Sequence, residues 1–185
     1  MADRKAGAAV APPKLFAFPP FFTIQPVQAT RKKQLEVWVE WIRDFQKSNG
    51  QTSIIISQAA SKIGPPFANP DIKRKLNERG IRCVLDALCS KGYAFWEDEK
   101  KEICHTTSKT LEEWKKIILT WAKDNGQFDR MSTFNEFRTE HDDAAFHKLE
   151  PRVLHEIFKN LEKNGSATLI PEDNLDELGI KLHER

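Results

Sequence analysis

Apolar residues recur at helical spacing in two similar stretches of the chain. LEVWVEWIRDFQKSNGQ covers residues 35–51 and LEEWKKIILTWAKDNGQ covers residues 111–127, with identical Leu, Glu, Trp, Ile, Lys, Asn, Gly and Gln. The apolar positions lie three or four residues apart, which is typical of one face of an amphipathic helix. They are Leu35, Trp38, Ile42 and Phe45 in the first stretch and Leu111, Trp114, Ile118 and Trp121 in the second. Asn-Gly predicts the end of both helices, because glycine accepts the left-handed conformation of a C-cap.

A second pair of similar stretches follows the first pair. IRCVLDALCSKG, residues 81–92, resembles VLHEIFKNLEKNG, residues 153–165, and both show helical spacing. Short apolar and β-branched runs follow each stretch, at residues 93–96 and 103–107 and at residues 168–170 and 180–182. Because charged or turn-forming residues separate the two runs of each pair, we predict a β-hairpin after each helix.

Shorter elements complete each repeat. TSIIIS, residues 52–57, predicts a strand, and single helical turns are predicted at residues 58–63 and 70–77. In the second repeat, Ser132 and Thr133 can cap a helix through Glu136 in a capping box. Pro151 suits the first position of the last helix. Three helices and a two-stranded wing predict an α+β, mainly α fold of two tandem winged-helix domains, residues 30–108 and 109–185.

Composition restricts the class of protein. Of 185 residues, 39% are hydrophobic and 30% are charged, which is typical of a globular protein. The formal net charge is only +2, and the three cysteines show no CxxC spacing, which favours a reducing compartment. No run approaches the length of a membrane span. We therefore expect a cytosolic or nuclear protein that meets membranes only through partners, with a flexible tail at residues 1–15.

KLFAFPPFFTIQP, residues 14–26 and called here the aromatic segment, does not fit either winged-helix domain. Its four phenylalanines are typical of a core, but Pro19 and Pro20 exclude a regular helix through them. Pro-Pro and the residue before it favour extended geometry, so residues 16–29 are predicted to be extended. From the residues alone, packing on the chain's own domain and docking in a partner's groove both remain open.

The sequence offers no convincing catalytic or cofactor site. His141 stands beside Asp142 and Asp143, but neighbouring positions do not converge on one point, and no HxxxH or HExxH pair exists. There is also no glycine-rich phosphate loop and no nucleophile elbow. We therefore expect no enzyme activity, no metal and no cofactor.

Nucleic-acid binding is the alternative function, because winged helices commonly bind DNA. The first repeat carries a basic cluster before and into its third helix: Lys73, Arg74, Lys75, Arg79 and Arg82. The corresponding helix of the second repeat mixes acidic and basic residues, which is typical of a solvated face. An interaction module therefore accounts for the sequence better than a nucleic-acid-binding protein does.

Several long strings resemble the small subunit of the endosomal sorting complex ESCRT-II, the vacuolar protein sorting-associated protein 25 family. These are FPPFFTIQP followed by TRKKQLEVW, RKLNERGIRCVLDALCSKGYAFW, LEEWKKIILTWA and FHKL, so the resemblance spans about residues 16–170. It implies two tandem winged helices without enzyme activity. It also implies a Y-shaped heterotetramer in which two copies join one each of two larger winged-helix subunits. The family's PPxF docking motif matches Pro19, Pro20, Phe21 and Phe22.

The same resemblance assigns the C-terminal domain to a second partner. It implies that this domain recruits and activates the first ESCRT-III subunit at the endosomal membrane, to which the cytoplasmic complex is recruited. The result is the sorting of ubiquitinated cargo into multivesicular bodies. The contact residues come from chemistry alone: Met131, Phe134 and Arg138 open the middle helix of the second domain and mix apolar with basic character, so a partner helix is predicted to lie there.

Overall fold

The computed structural model describes residues 10–50 and 52–184. The chain divides into two compact units between Ser108 and Lys109. Most of the predicted flexible tail, residues 1–15, lies outside the described residues. Its described end is not a free tail, because Val10 is partly buried against the first core and Lys14 begins a short helix.

The first unit consists of three helices, a small three-stranded sheet and a separate two-stranded hairpin. Its elements are α1 Gln28–Asn49, β1 Ser53–Ile55, α2 Ile56–Ser61, β2 Ala68–Asn69, β3 Arg74–Lys75, α3 Glu78–Ser90, β4 Ala94–Trp96 and β5 Ile103–Thr106. The antiparallel sheet has the order β1-β5-β4, and Cys104 on the central strand is opposite Ile54 on one side and Trp96 on the other. β4 and β5 form the wing predicted after the third helix.

The second unit repeats this order of elements in its described residues, except for the β2–β3 hairpin. It contains α4 Leu111–Asp124, β6 Met131–Thr133, α5 Phe134–Thr139, α6 Pro151–Lys163, β7 Ala167–Ile170 and β8 Gly179–Leu182, with a single 3₁₀ turn at Leu175–Glu177. Its antiparallel sheet has the order β6-β8-β7. The prediction of two winged-helix domains is confirmed by this architecture.

Local signals in the sequence explain where the helices begin and end. α1 ends at Gly50, whose φ of 62° is left-handed, and the turn after α4 contains Gly126 with a φ of 61°. Thr133 caps α5 in the predicted capping box, in which its hydroxyl accepts from the Glu136 backbone N–H and the Glu136 carboxylate accepts from the Thr133 N–H. α6 begins at Pro151, as predicted.

The predictions for the connecting elements of the first unit need two corrections. The strand predicted over residues 52–57 is shorter, because Ile56 already begins α2. The helical turn predicted over residues 70–77 is wrong, since this stretch includes the turn and second strand of the β2–β3 hairpin. Lys73 stands in that turn with a φ of 52°, and its N–H bonds the Pro70 carbonyl at 3.1 Å. A left-handed residue at this position is incompatible with an α-helix.

The core of the first unit lies between α1 and α3. The apolar stripe of α1 buries Trp38 and Ile42, and α3 contributes Ile81, Val84, Leu85 and Leu88. Burial of such side chains is the main favourable contribution to folding. Within the described residues, no helix is both long enough and apolar enough to cross a membrane.

Candidate partner-binding surfaces

The aromatic segment is folded rather than extended. Lys14–Ala17 and Pro19–Phe22 each form a 3₁₀ turn. Phe18 between the turns keeps extended geometry, as expected for a residue before proline. Its N–H bonds the Leu15 carbonyl at 2.9 Å, and its own carbonyl accepts from the Phe21 N–H at 2.9 Å. The prediction of an extended segment therefore fails, because consecutive 3₁₀ turns satisfy its backbone locally.

Three of the four rings of the aromatic segment are part of the first unit's core. Phe16, Phe21 and Phe22 are all buried. Phe21 lies almost parallel to the indole of Trp38, with ring centroids 4.3 Å apart, and Phe22 meets the same indole edge-on at 5.7 Å. Phe16 contacts Trp41 at 5.4 Å. Phe21 and Phe22, two of the four residues assigned to the docking motif, are therefore covered by the chain's own tryptophans rather than open to a partner.

A buried amide on α1 fixes the backbone of the aromatic segment. Gln34 donates from Nε2 to the carbonyls of Phe21 and Thr23, both at 2.9 Å, and accepts the N–H of Gln25 on Oε1 at 3.1 Å. Trp38 adds an indole N–H to the Phe21 carbonyl at 3.3 Å. Because buried polar groups are costly unless paired, this network specifies one position of the segment on the helix.

Several other apolar residues of the aromatic segment face solvent. Leu15 is 41% exposed and Phe18 is 54% exposed, and Pro19 and Pro20 are also exposed. A cavity of about 240 Å³ lies beside them, and α1 forms its other wall. We call it the docking cavity and define it by Leu15, Phe18, Pro20, Phe21 and Val37. The sequence left the roles of Phe16 and Phe18 open; the structure buries Phe16 and leaves Phe18 exposed.

In the second unit, the three predicted contact residues have different environments. Met131 on β6 is 54% exposed and available to a partner. Phe134 is 0% exposed, so direct contact with a partner is ruled out in this structure, and the residue belongs to the core next to Phe158. Arg138 is half-buried and donates to the Asp176 carboxylate at 2.9 Å. Of the two apolar residues predicted to contact a partner here, only Met131 is therefore exposed.

Ile170 extends this surface and was missed in the sequence analysis. It is exposed at the end of β7 and pairs with Gly179 on β8. A Cβ added to Gly179 would lie 3.1 Å from the Ile170 Cβ and 3.5 Å from the Met131 Sδ. Met131 and Ile170 therefore flank the same glycine on one face of the sheet. We call these two side chains the sheet patch; strand register, which the sequence does not specify, brings them together.

The basic cluster before α3 is not a uniform cationic face. Arg82 forms ion pairs with Glu78 at 3.1 Å and Glu102 at 3.8 Å. One turn along, Asp86 accepts from the Trp96 indole at 2.8 Å and from Lys101 at 2.7 Å. A helix that reads the major groove presents basic or amide side chains to the bases. The ion pairs of Arg82 and Asp86 instead give much of the exposed side of α3 charges of both signs.

Several groups of the two units have shifted pKa values, most of them partly or fully buried; at exposed Lys101 the hydrogen bond to Asp86 raises the pKa. Burial raises the pKa of the Cys83 thiol. A hydrogen bond between Cys89 and Cys104 lowers the pKa of Cys89 and, together with burial, raises that of Cys104. On α6, burial lowers the pKa of His155. Among residues 10–50 and 52–184, no group of histidine, cysteine and acidic side chains has the arrangement of a metal site.

Comparison with known proteins places the chain in a family. The family model described as "ESCRT-II complex subunit" matches residues 15–150. The vacuolar protein sorting-associated protein 25 of Arabidopsis thaliana is 32% identical over 92% of this chain and 94% of its own length. The proteins of that name from Danio rerio and Homo sapiens are each 33% identical, again over 92% of this chain, and over 97% and 96% of their own lengths.

Solved structures agree with the architecture. The crystal structure of subunit VPS25 of the endosomal trafficking complex ESCRT-II superimposes with a TM-score of 0.70 at 24% identity, covering 93% of this chain and 99% of that chain. A crystal structure of endosomal complex ESCRT-II, described as VPS22/VPS25/VPS36, contains a chain that matches with a TM-score of 0.68. At this level of identity the structures establish the fold, whereas the sequence matches establish descent. The chain belongs to the family of ESCRT-II complex subunits.

Proposed function

We propose that this chain is a non-catalytic adaptor subunit of an ESCRT-II complex, where it takes the position that VPS25 has beside VPS22 and VPS36. Two copies would join one each of two larger winged-helix subunits. The observation that carries this proposal is the exposed apolar group of Leu15, Phe18, Pro19 and Pro20 beside the docking cavity. Family membership supports it. The complex would act in the cytoplasm and be recruited to endosomes.

Within the PPxF motif, we assign different roles to its two halves. Phe21 and Phe22 hold the segment on α1, and Pro19 and Pro20 present a rigid apolar ridge to the partner. Because prolines and buried anchors have already fixed the backbone, little conformational entropy remains to be lost on docking. Phe18 adds a large exposed ring next to this ridge, and aromatic anchors of this kind commonly dominate binding free energy.

Co-expression with the two larger subunits tests this assignment. The double variant Leu15→Ser, Phe18→Ser changes exposed side chains of the docking cavity, so the fold should be retained. We expect it to lose at least about tenfold in affinity for the larger subunits, since truncating interface anchors commonly costs more than 1 kcal/mol each. The matched control is Ile63→Ser, an exposed apolar residue of the same unit that does not line the docking cavity. Unchanged assembly of the double variant would refute the docking role.

Alanine variants of Phe21 and Phe22 do not serve as interface probes. Both rings pack against Trp38, so their removal would disturb the first core and weaken assembly through unfolding. Pro20→Ala is the more informative change in the motif, because it removes an exposed proline that lines the docking cavity. We expect it to weaken assembly while leaving the urea midpoint of the isolated chain nearly unchanged.

We further propose that the second unit recruits and activates the first ESCRT-III subunit through the sheet patch, for sorting of ubiquitinated cargo into multivesicular bodies. Met131 and Ile170 supply the apolar surface, and Arg138 stands on α5, immediately after the strand that carries Met131. An amphipathic helix could place its apolar face there. Titration calorimetry with the ESCRT-III subunit should show weaker binding for Met131→Asp and retained binding for Met131→Leu. Equal binding of both variants would exclude the sheet patch.

Duplex DNA provides the test of the alternative function. A nucleic-acid-binding protein should bind the duplex at low salt and lose affinity steeply as salt rises. Under our proposal, no salt-dependent binding is expected at concentrations where the ESCRT-II assembly forms. The ion pairs of Arg82 and Asp86 on α3 count against the alternative.

A further inference from the structure

A second, larger cavity opens on the first unit, and the proposed assembly does not use it. Its volume is about 570 Å³, which is in the range of ligand-binding clefts. It lies between the end of the aromatic segment, the first turn of α1 and the start of α3, and it shares only Gln25 with the docking cavity. We call it the basic cleft and define it by Ile24, Arg31, Lys75, Leu76 and Arg79.

Three cations line the basic cleft, and none of the described residues contributes a carboxylate to its lining. Arg31 donates from Nη2 to the Pro26 carbonyl at 2.8 Å, and Lys75 donates from Nζ to the Ala60 carbonyl at 3.1 Å. A carbonyl orients a cation but leaves its charge uncompensated. Within residues 10–50 and 52–184, neither these two residues nor Arg79 forms an ion pair. The cleft therefore holds three positively charged side chains whose charges no ion pair neutralises.

The acidic side chain next to Arg79 in the chain is already engaged elsewhere. Glu78, which follows the N-cap of α3, pairs with Arg82, and Arg82 also reaches Glu102. Arg31 and Arg79 both act on the Cys83 thiol in the wall of the cleft, where they oppose the rise in its pKa that burial causes. Asp86 acts on the same thiol in the opposite direction, and Arg31, Arg79 and Cys83 all line the cleft. Like charges held near each other favour the approach of an anionic ligand.

Apart from the three cations, the lining combines apolar side chains with the neutral polar residues Thr23, Gln25 and Asn77. Phe22, Ile24, Pro26 and Leu76 form the apolar part of the wall, so the basic cleft is amphipathic. A nucleic-acid backbone is recognised on an open cationic surface, and the adjoining face of α3 carries paired charges instead. A peptide that alternates carboxylates with an apolar side chain matches both parts of this lining.

We propose that the basic cleft binds a short acidic segment of a partner protein, with its carboxylates on Arg31, Lys75 and Arg79 and an apolar side chain against Leu76 and Ile24. Arginine is suited to this role, because its planar guanidinium holds a carboxylate through two parallel hydrogen bonds. Arg31, Lys75 and Arg79 stand in three different elements. A bound peptide would therefore run from the first turn of α1 across β3 to the first turn of α3.

Selection from a random-peptide phage library on the full chain tests the proposal without assuming a ligand sequence. We expect the enriched peptides to share an excess of Asp and Glu and one apolar position. Synthetic versions should bind the wild-type chain and lose at least about tenfold in affinity on Arg79→Glu, because a charge-assisted contact becomes a repulsion. Lys116→Glu, an exposed change of the same charge on α4, is the control and should bind as wild type does.

Three results would overturn the proposal. They are no enrichment of any peptide family, enrichment without acidic excess, and equal binding to wild type and Arg79→Glu. Suppose that no peptide is enriched, that the wild-type chain binds a DNA duplex and that the Arg79→Glu variant does not. The basic cleft would then be a nucleic-acid site instead. The Arg79→Glu variant should still co-purify with the larger ESCRT-II subunits. Failure of the acidic-peptide proposal can therefore be told apart from failure of the docking proposal.

Discussion

At the scale of single residues, Phe18 and Phe21 are only three positions apart in the chain, yet we expect one to serve binding and the other to serve stability. Phe21 is 3% exposed and stacks on Trp38, whereas Phe18 is mostly in solvent. The two residues belong to the same aromatic segment, so a sequence motif groups them although their surroundings differ. Mutations at the two positions should therefore affect different measurements.

We expect Phe21→Ala to lower the free energy of unfolding of the first unit by about 3–5 kcal/mol, which is the usual cost of emptying a buried phenylalanine site. Phe18→Ala should change it by less than about 1 kcal/mol, because an exposed side chain loses little burial. Urea unfolding followed by tryptophan fluorescence measures both. Equal losses for the two variants would mean that Phe18 is also part of the core.

The three cysteines provide a second residue-scale prediction. Thiolates, not thiols, react with iodoacetamide, so reactivity follows pKa and access. Cys89 is partly exposed and its pKa is lowered by the hydrogen bond with Cys104, so it should be alkylated first. Cys83 should follow, because burial raises its pKa, and fully buried Cys104 should be last. Pulse alkylation of the native chain with peptide mass spectrometry gives this order, and faster labelling of Cys83 than Cys89 would contradict it.

At the scale of elements, α6 carries a pH-dependent contribution to stability. The pKa of His155 is lowered by burial, and the charges of Lys159 and Arg152 lower it further, although Glu156 opposes them. The unfolded chain therefore binds a proton at His155 more readily than the folded chain does. It follows that the free energy of unfolding falls as pH drops through the ordinary histidine pKa of about 6.5.

His155→Gln removes this proton uptake while keeping a polar side chain on the helix. Between about pH 8 and pH 5.5, the urea midpoint of the second unit should fall less for the variant than for wild type. The other histidines remain in both proteins, so their contributions cancel in the difference. Identical pH profiles would show that His155 protonates equally in the folded and unfolded chain.

Elements with strong periodicity or cap signals could be predicted from the sequence, and elements that depend on distant contacts could not. The repeated helices, the capping box at Thr133 and the wing strands follow from local patterns that the structure confirms. The β2–β3 hairpin has only two residues per strand, too few to show alternation. The sheet patch depends on the register of Ile170 opposite Gly179, which no local signal encodes.

The aromatic segment illustrates the same limit for the candidate site. Its sequence predicts correctly that prolines exclude a regular helix, and the family motif identifies a docking role, which stays a prediction. The burial of Phe16, Phe21 and Phe22 depends on Trp38, Trp41 and Gln34, which lie a dozen or more residues away in the chain. A PPxF motif does not indicate which of its rings face inward, because side-chain direction in consecutive 3₁₀ turns has no simple period.

At the scale of the whole molecule, the division between Ser108 and Lys109 leaves each unit with its own core. The first unit is completed by the aromatic segment, since three of its rings enter that core. Each fully buried phenylalanine contributes about 1.5–3 kcal/mol. Together they supply an amount comparable to the whole stability of an ordinary domain, about 5–15 kcal/mol. The segment should therefore be required for folding as well as for docking.

This reasoning predicts unequal consequences for one truncation. A chain that starts at Gln28 lacks Phe16, Phe21 and Phe22 and exposes Trp38, so its first unit should lose dispersed backbone amide signals in a ¹⁵N NMR spectrum. Its second unit should retain them, because α4, α5 and α6 pack around Phe134, Phe146 and Phe158, none of which is removed. A separate fragment from Lys109 to Arg185 supplies the reference spectrum. If the truncated chain kept dispersed signals from both units, the aromatic segment would be an accessory for binding alone, and the buried rings would contribute far less than their burial implies.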